Sequence, residues 1–144
     1  MDFVVRVPDN LDPAAAAPLL CAGITVCAPL KRHGDGPGIE VAVVGLGGLG
    51  HLGVKMTKAM GADVTVLSQS DRKREAAAAL GADHYAVTGD GSAFTELANA
   101  FDSILNTVSA PPSLKDFLVM LRLHGTVISV GTDKEASSQT EQRK

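Results

Sequence analysis

Gly45, Gly47 and Gly50 lie in the stretch VAVVGLGGLGHLG at the spacing G-x-G-x-x-G, directly after a run of β-branched residues. Glycines at this spacing can each serve a phosphate differently. Gly45 permits a tight turn out of a strand, Gly47 leaves no side chain between backbone and pyrophosphate, and Gly50 lets a following helix lie close to its sheet. The first N–H groups of such a helix have no partner inside it, and with the positive end of the helix dipole they favour a bound anion. Leu46, Gly48 and Leu49 complete the turn. The chemistry implied is capture of a dinucleotide by its diphosphate.

Two other readings use the same residues. One is a strand-to-helix turn with incidental glycines. The other is the glycine-rich turn of methyltransferases that use S-adenosylmethionine, which usually follows an acidic residue; Val43 and Val44 stand there instead. In the dinucleotide fingerprint an Asp or Glu about 20 residues on accepts hydrogen bonds from the adenosine ribose of NAD. Here the second apolar run, DVTVLS, ends in Ser68, and Gln69, Ser70, Asp71, Arg72, Lys73 and Arg74 follow. A carboxylate at Ser68 would repel a 2′-phosphate, whereas Ser68, Ser70 and a nearby Lys73 offer hydroxyl and ammonium donors to it. This pattern points to NADP(H) rather than NAD(H). Arg72 to Arg74 also read as a solvated helix face, and Asp71 suits the start of a helix.

The residues that could hold a metal are few. Cys21 and Cys27 are too far apart for Cys-x-x-Cys and too few for a disulfide framework. Cys21 therefore reads either as a small buried thiol or as one ligand of an incomplete set. His33, His51, His84 and His124 fall at turns or element edges without an i, i+4 partner, and read as structural.

The elements needed to position these groups follow from periodicity. IEVAVVGL, DVTVLS, HYAVT, FDSILNTV and GTVISVGT are short runs suited to buried strands. Between them, helical patterns are expected from Leu49 to a C-terminal Gly61, over DRKREAAAAL before Gly81, over AFTELANA, and over SLKDFLVMLRL behind Pro111 and Pro112. Alternation of this kind builds an α/β domain: a Rossmann-type, doubly wound parallel sheet of about five strands with helices on both faces. We place it at residues 39–132. Residues 1–38 form a helical lead-in, with one helix starting near Asp12 and a second near Cys21 to Leu30. The polar residues 133–144 read as a disordered tail.

Bulk properties narrow the partners. With 144 residues, 45% of them hydrophobic, the chain has room for one ordinary core. A formal charge of -3 provides no cationic field for nucleic acid or anionic membrane. No apolar stretch reaches the roughly 20 residues that span a bilayer, and the N-terminus lacks the pattern of a signal peptide, so a cytoplasmic protein is expected.

AAAAPLLCAGITV, VAVVGLGGLGHLGVKMTKAMGADVTVLSQS, KREAAAALGADH and LHGTVISVGT together resemble the coenzyme domain of zinc-dependent, medium-chain alcohol dehydrogenases, in the cinnamyl-alcohol-dehydrogenase-like branch that includes bacterial aldehyde reductases. The resemblance implies hydride transfer between alcohol or aldehyde and nicotinamide, with zinc polarising the oxygen. It likens Cys21 to a third zinc ligand, Thr25 to a residue beside the nicotinamide, and Gly45 to Gly50 to the pyrophosphate loop. Ser68, with Ser70 and Lys73, corresponds to the 2′-phosphate site, and Val108 and Val130 to the cofactor channel. The family's other zinc ligands, including a His-Glu pair, are absent from this sequence. The chain is thus expected to bind coenzyme without catalysing by itself, zinc belonging to a full-length relative. Family dimers pair through sheet edges, so a homodimer of that kind is an expectation. The alternatives are a freestanding NADPH-sensing module and a zinc-free domain of the quinone oxidoreductase type.

Overall fold

Five parallel strands, β1 (Glu40–Val44), β2 (Asp63–Ser68), β3 (His84–Val87), β4 (Phe101–Asn106) and β5 (Leu121–Ser129), form one sheet in the order β3-β2-β1-β4-β5. The structure is a computed structural model that describes residues 6–109 and 113–131; Pro111, Pro112 and the polar tail lie outside them. The order reverses direction between β1 and β4, so the crevice beyond the C-terminal ends of these strands is where a ligand of such a sheet binds. Register brings those ends level. Val44 is paired with Leu67 on one side and with Asn106 on the other, so the glycine turn emerges between Ser68 and Thr107.

Helices cover both faces, as the alternating pattern requires. On one face lie α2 (Ala22–His33), α3 (Gly48–Ala59) and α4 (Arg74–Ala79), whose Val26, Leu30, Val54 and Ala77 join Val41, Val43, Val64 and Val66 in one buried cluster. The lead-in helix α2 therefore shares its core with the sheet. On the other face α5 (Ser92–Glu96) and α6 (Leu114–Met120) cover Ala42, Val44, Leu67 and Ile104 with Phe117 and Met120. A short helix α1 (Pro13–Ala16), N-capped by the Asp12 side chain, leads into α2 through a 3-10 turn. Among the described residues no single helix is long and apolar enough to cross a membrane.

Three helices are shorter than their patterns suggest. The expected helix SLKDFLVMLRL stops at Met120, and Leu121 to Leu123 are extended. Tertiary pairing overrides propensity there: the last helical carbonyls, of Val119 and Met120, accept hydrogen bonds from Asn99 and Ala100 instead of from a further turn. Leu121 then pairs with Phe101, and the ladder slips before Ser103 meets Thr126, with His124 at φ 67 inside the irregularity. The helix expected over Asp71–Leu80 begins as a 3-10 turn, Asp71–Lys73, and is α-helical only from Arg74. AFTELANA is helical only to Glu96, because Asn99, at φ 55, turns the chain into β4.

Candidate functional site

The glycine turn is built as its spacing predicts, and its glycines divide into two kinds. Gly45 has φ +83, and a Cβ there would come within 2.3 Å of Val108; a Cβ at Gly50 would lie 2.1 Å from the Gly45 carbonyl oxygen. Both are required by the protein's own packing. Gly53 adds a third close approach, 2.9 Å from Leu105, which seats α3 on the sheet. Gly47 and Gly48 are different: a Cβ at either would meet nothing within 4 Å, and neither has the positive φ that favours glycine. No neighbour in the fold accounts for them. They leave the backbone open at the head of α3.

Gly47 is the N-cap of α3 and supplies no side-chain cap. His51 N–H donates to the Gly47 carbonyl, the first bond of the helix, so the N–H groups of Gly48, Leu49 and Gly50 precede the hydrogen-bonded ladder. His51 itself is exposed and places Nδ1 2.9 Å from the Gly48 carbonyl oxygen, a local contact that fits its structural reading. The turn is fixed from beneath: Gly45 N–H donates to Leu67 O at 2.8 Å, and the Thr107 hydroxyl donates to Val44 O at 2.7 Å.

From this turn an open groove of about 1020 Å³ runs across the end of β2. Its walls bring together Gly45, Leu46, Gly47, Ser68, Gln69, Ser70, Lys73 and Val108. Lys73 Nζ donates to the Leu46 carbonyl at 2.8 Å, so a cation bridges the glycine turn and the serine-lined wall. The other two cations of the basic run do not line the groove. Arg74 is turned aside: its Nε donates to Asp71 Oδ1 at 2.7 Å, and its guanidinium lies 4.8 Å from the centre of the Tyr85 ring. Thr25 sits half-buried on α2 and Val130 packs on the valine core beyond β5; neither belongs to the groove wall. Val130 N–H does bond Asn106 O, which holds the ends of β4 and β5 together beside Val108.

Sequence reasoning passed over Thr88, Gly89, Phe94 and Asp116, all of which line the groove. Thr88 and Gly89 follow β3, and the rule that ligands lie beyond strand C-termini identifies that position once β3 is known to adjoin β2. Asp116 comes from the first turn of α6, where it forms a capping box with Ser113. Nothing short of the tertiary fold places it here.

The same residues do not make a metal centre. Cys21 is exposed at the start of α2, which overturns its reading as a buried thiol. Among the described residues no three His, Cys, Asp or Glu side chains are grouped to hold a metal ion. His33 ends α2, His84 begins β3 and His124 marks the irregularity in β5.

Fold and groove define an α/β domain of the Rossmann type with a glycine turn at its switch point. A family model described as zinc-binding dehydrogenase matches residues 48–143, and the chain belongs to that family. It is 57% identical over 129 residues to a probable formaldehyde dehydrogenase AdhA of Bacillus subtilis (strain 168), covering 90% of this chain and 37% of that relative. It is 55% identical over 130 residues to the NADP-dependent alcohol dehydrogenase C 1 of Mycolicibacterium smegmatis, again covering 90% of the chain and 37% of the relative. Among solved structures, a cinnamyl alcohol dehydrogenase from Sorghum bicolor superposes with a TM-score of 0.85 at 46% identity, over 92% of this chain and 38% of that one. The CAD from Helicobacter pylori complexed with NADP(H) gives a TM-score of 0.83 at 34% identity, over 94% and 38%. The chain spans little more than a third of the relatives it matches, at 37% of the first two.

Proposed function

We propose that this chain binds NADP(H), and that it does so as the coenzyme-binding part of an alcohol dehydrogenase or aldehyde reductase. The observation that carries the reading is the pair Gly47 and Gly48, left without side chains although nothing in the fold crowds them, at the head of a helix whose first N–H groups have no helical partner. The second half of the groove supports the extra phosphate: Ser68 ends β2 where a carboxylate would select NAD, and Lys73 stands beside it. The names of the relatives, an NADP-dependent alcohol dehydrogenase and a CAD complexed with NADP(H), agree with it.

When bound, the coenzyme supplies hydride transfer at its nicotinamide. The chain's own residues do the holding. Gly48, Leu49 and Gly50 head α3 beside the groove wall rather than in it, and their N–H groups, ahead of the helical ladder, receive the diphosphate; Val108 flanks the turn, and Ser68, Ser70 and Lys73 receive the 2′-phosphate. The described residues do not fit a catalytic zinc, which needs three protein ligands and an open position. The 144-residue chain is therefore expected to bind coenzyme without oxidising alcohols. Titration with NADPH and NADH, followed by nicotinamide fluorescence, tests the reading. Tighter binding of NADPH by about tenfold or more is expected from one charge-assisted phosphate contact. Equal affinities, an NADH preference, or no binding would overturn it.

A further inference from the structure

We infer that Tyr85 on β3 is a positioning residue that sets the preference for NADPH over NADH, acting through the Ser70 carbonyl; the inference rests on the coenzyme reading above. Ser68, Gln69 and Ser70 form the groove wall assigned to the 2′-phosphate. A phosphate monoester carries nearly two negative charges at neutral pH, so a backbone carbonyl oxygen turned toward it repels it while N–H and O–H groups attract it. A wall of three consecutive residues needs its carbonyls held elsewhere.

Two of the three carbonyls, of Ser68 and Ser70, accept hydrogen bonds from β3 or the residue after it, and the third lies against the loop that follows. Ser68 O accepts from Thr88 N at 2.8 Å and from the Thr88 hydroxyl at 3.3 Å. Gln69 O lies against Gly89, where a Cβ would come within 2.4 Å. Ser70 O accepts from the Tyr85 hydroxyl at 2.6 Å. The first contact continues the β2–β3 ladder, and the second is a close approach of backbone to backbone just beyond it, with no hydrogen bond to hold it. The third depends on a single side chain. Its ring is fixed by Arg74, whose guanidinium lies 4.8 Å from the ring centre and is anchored to Asp71 Oδ1 and to Tyr85's own carbonyl. Neither Tyr85 nor Arg74 lines the groove, so Tyr85 acts on the coenzyme only through Ser70.

Tyr85→Phe removes the hydroxyl and keeps the ring under Arg74. Ser70 O then loses its partner and is free to rotate toward the groove. In the intact 144-residue chain we expect NADPH affinity to fall about fivefold, the worth of one ordinary hydrogen bond, while NADH affinity stays within about twofold of wild type. The unchanged NADH value shows that the variant is folded. If wild type prefers NADPH and Tyr85→Phe keeps the same NADPH-to-NADH ratio, the inference is overturned and the coenzyme reading stands. Loss of both affinities in equal measure also overturns it, because that is what a merely structural tyrosine would do. A wild-type chain with no preference for NADPH removes both.

Discussion

A methyl group added at Gly47 meets open space, while one added at Gly50 falls 2.1 Å from the Gly45 carbonyl oxygen. The two glycines share a motif and separate cleanly in what they do. Gly50→Ala forces backbone away from backbone and is expected to cost about 1 to 3 kcal/mol of stability, as overpacking does. Gly47→Ala gains a little from a stiffer unfolded chain and loses a little as a poorer N-cap, so stability should change by no more than about 0.5 kcal/mol. Its coenzyme affinity should nevertheless fall by about tenfold or more, since the new methyl group stands where the diphosphate meets the backbone. Thermal unfolding and an NADPH titration on both variants check this. A Gly47→Ala chain that binds like wild type would show that the space over the turn is not used. The same scale shows why a charge run is a poor guide to a site. Arg72, Lys73 and Arg74 are adjacent in sequence, yet only Lys73 lines the groove, and Arg74 is engaged by Asp71 and Tyr85.

Elements buried on both faces were legible because their environment is nearly uniform: EVAVV and DVTVLS read as strands from β-branched residues alone, and both are buried over most of their length. The junction of α6 with β5 was not legible, because LKDFLVMLRL keeps a helical pattern past the point where Asn99 and Ala100 take the carbonyls of Val119 and Met120. The glycine turn and the Ser68 wall were likewise visible in the sequence as motifs, whereas Thr88, Gly89, Phe94 and Asp116 reach the groove only through strand order and helix placement. Asp116 makes the start of α6 a matter for the site as well as the fold. Ser113 Oγ accepts from Asp116 N at 3.3 Å and the Ser113 backbone N–H donates to the Asp116 carboxylate at 3.2 Å, closing a capping box on a helix of only 7 residues. Ser113→Ala should cost about 1 kcal/mol, lowering the melting temperature by about 3 °C. Hydrogen exchange should also quicken in the first turn of α6 and not in α3. Uniform quickening across both helices would place the loss in the whole core instead of at the cap.

Asp83 and Asp35 act with opposite sign on how the whole molecule should respond to acid, and exposed Asp90, held low by Ser92, sides with Asp83. Asp83 joins three elements: it accepts from Lys58 of α3 at 2.6 and 2.9 Å and from Val64 N of β2 at 2.8 Å, just before β3 begins. The Lys58 ammonium, aided by the Val64 N–H, holds its carboxyl below the usual carboxylate range. The folded state thus favours the ionised form. Asp83 contributes stability that is present above about pH 4 and is lost as pH falls through its lowered value. Asp35 is buried beside Ser103, whose hydroxyl donates to it at 3.3 Å, and burial pushes its carboxyl up despite that bond. The folded state there favours the proton, so Asp35 costs no stability at low pH and begins to cost it as pH rises from about 4 through its raised value. Chemical denaturation across pH should therefore show stability climbing on the acid side and then losing part of that gain just above the ordinary carboxylate range. Asp83→Asn should make the acid limb shallower and leave the decline above it unchanged. Asp35→Asn should remove the decline above it, leaving the acid limb intact, because an amide keeps the partner at Ser103 and carries no charge to bury. If Asp35→Asn instead lowers stability equally at every pH, the buried carboxylate is held by its packing and hydrogen bond, and its ionisation is not what the fold resists.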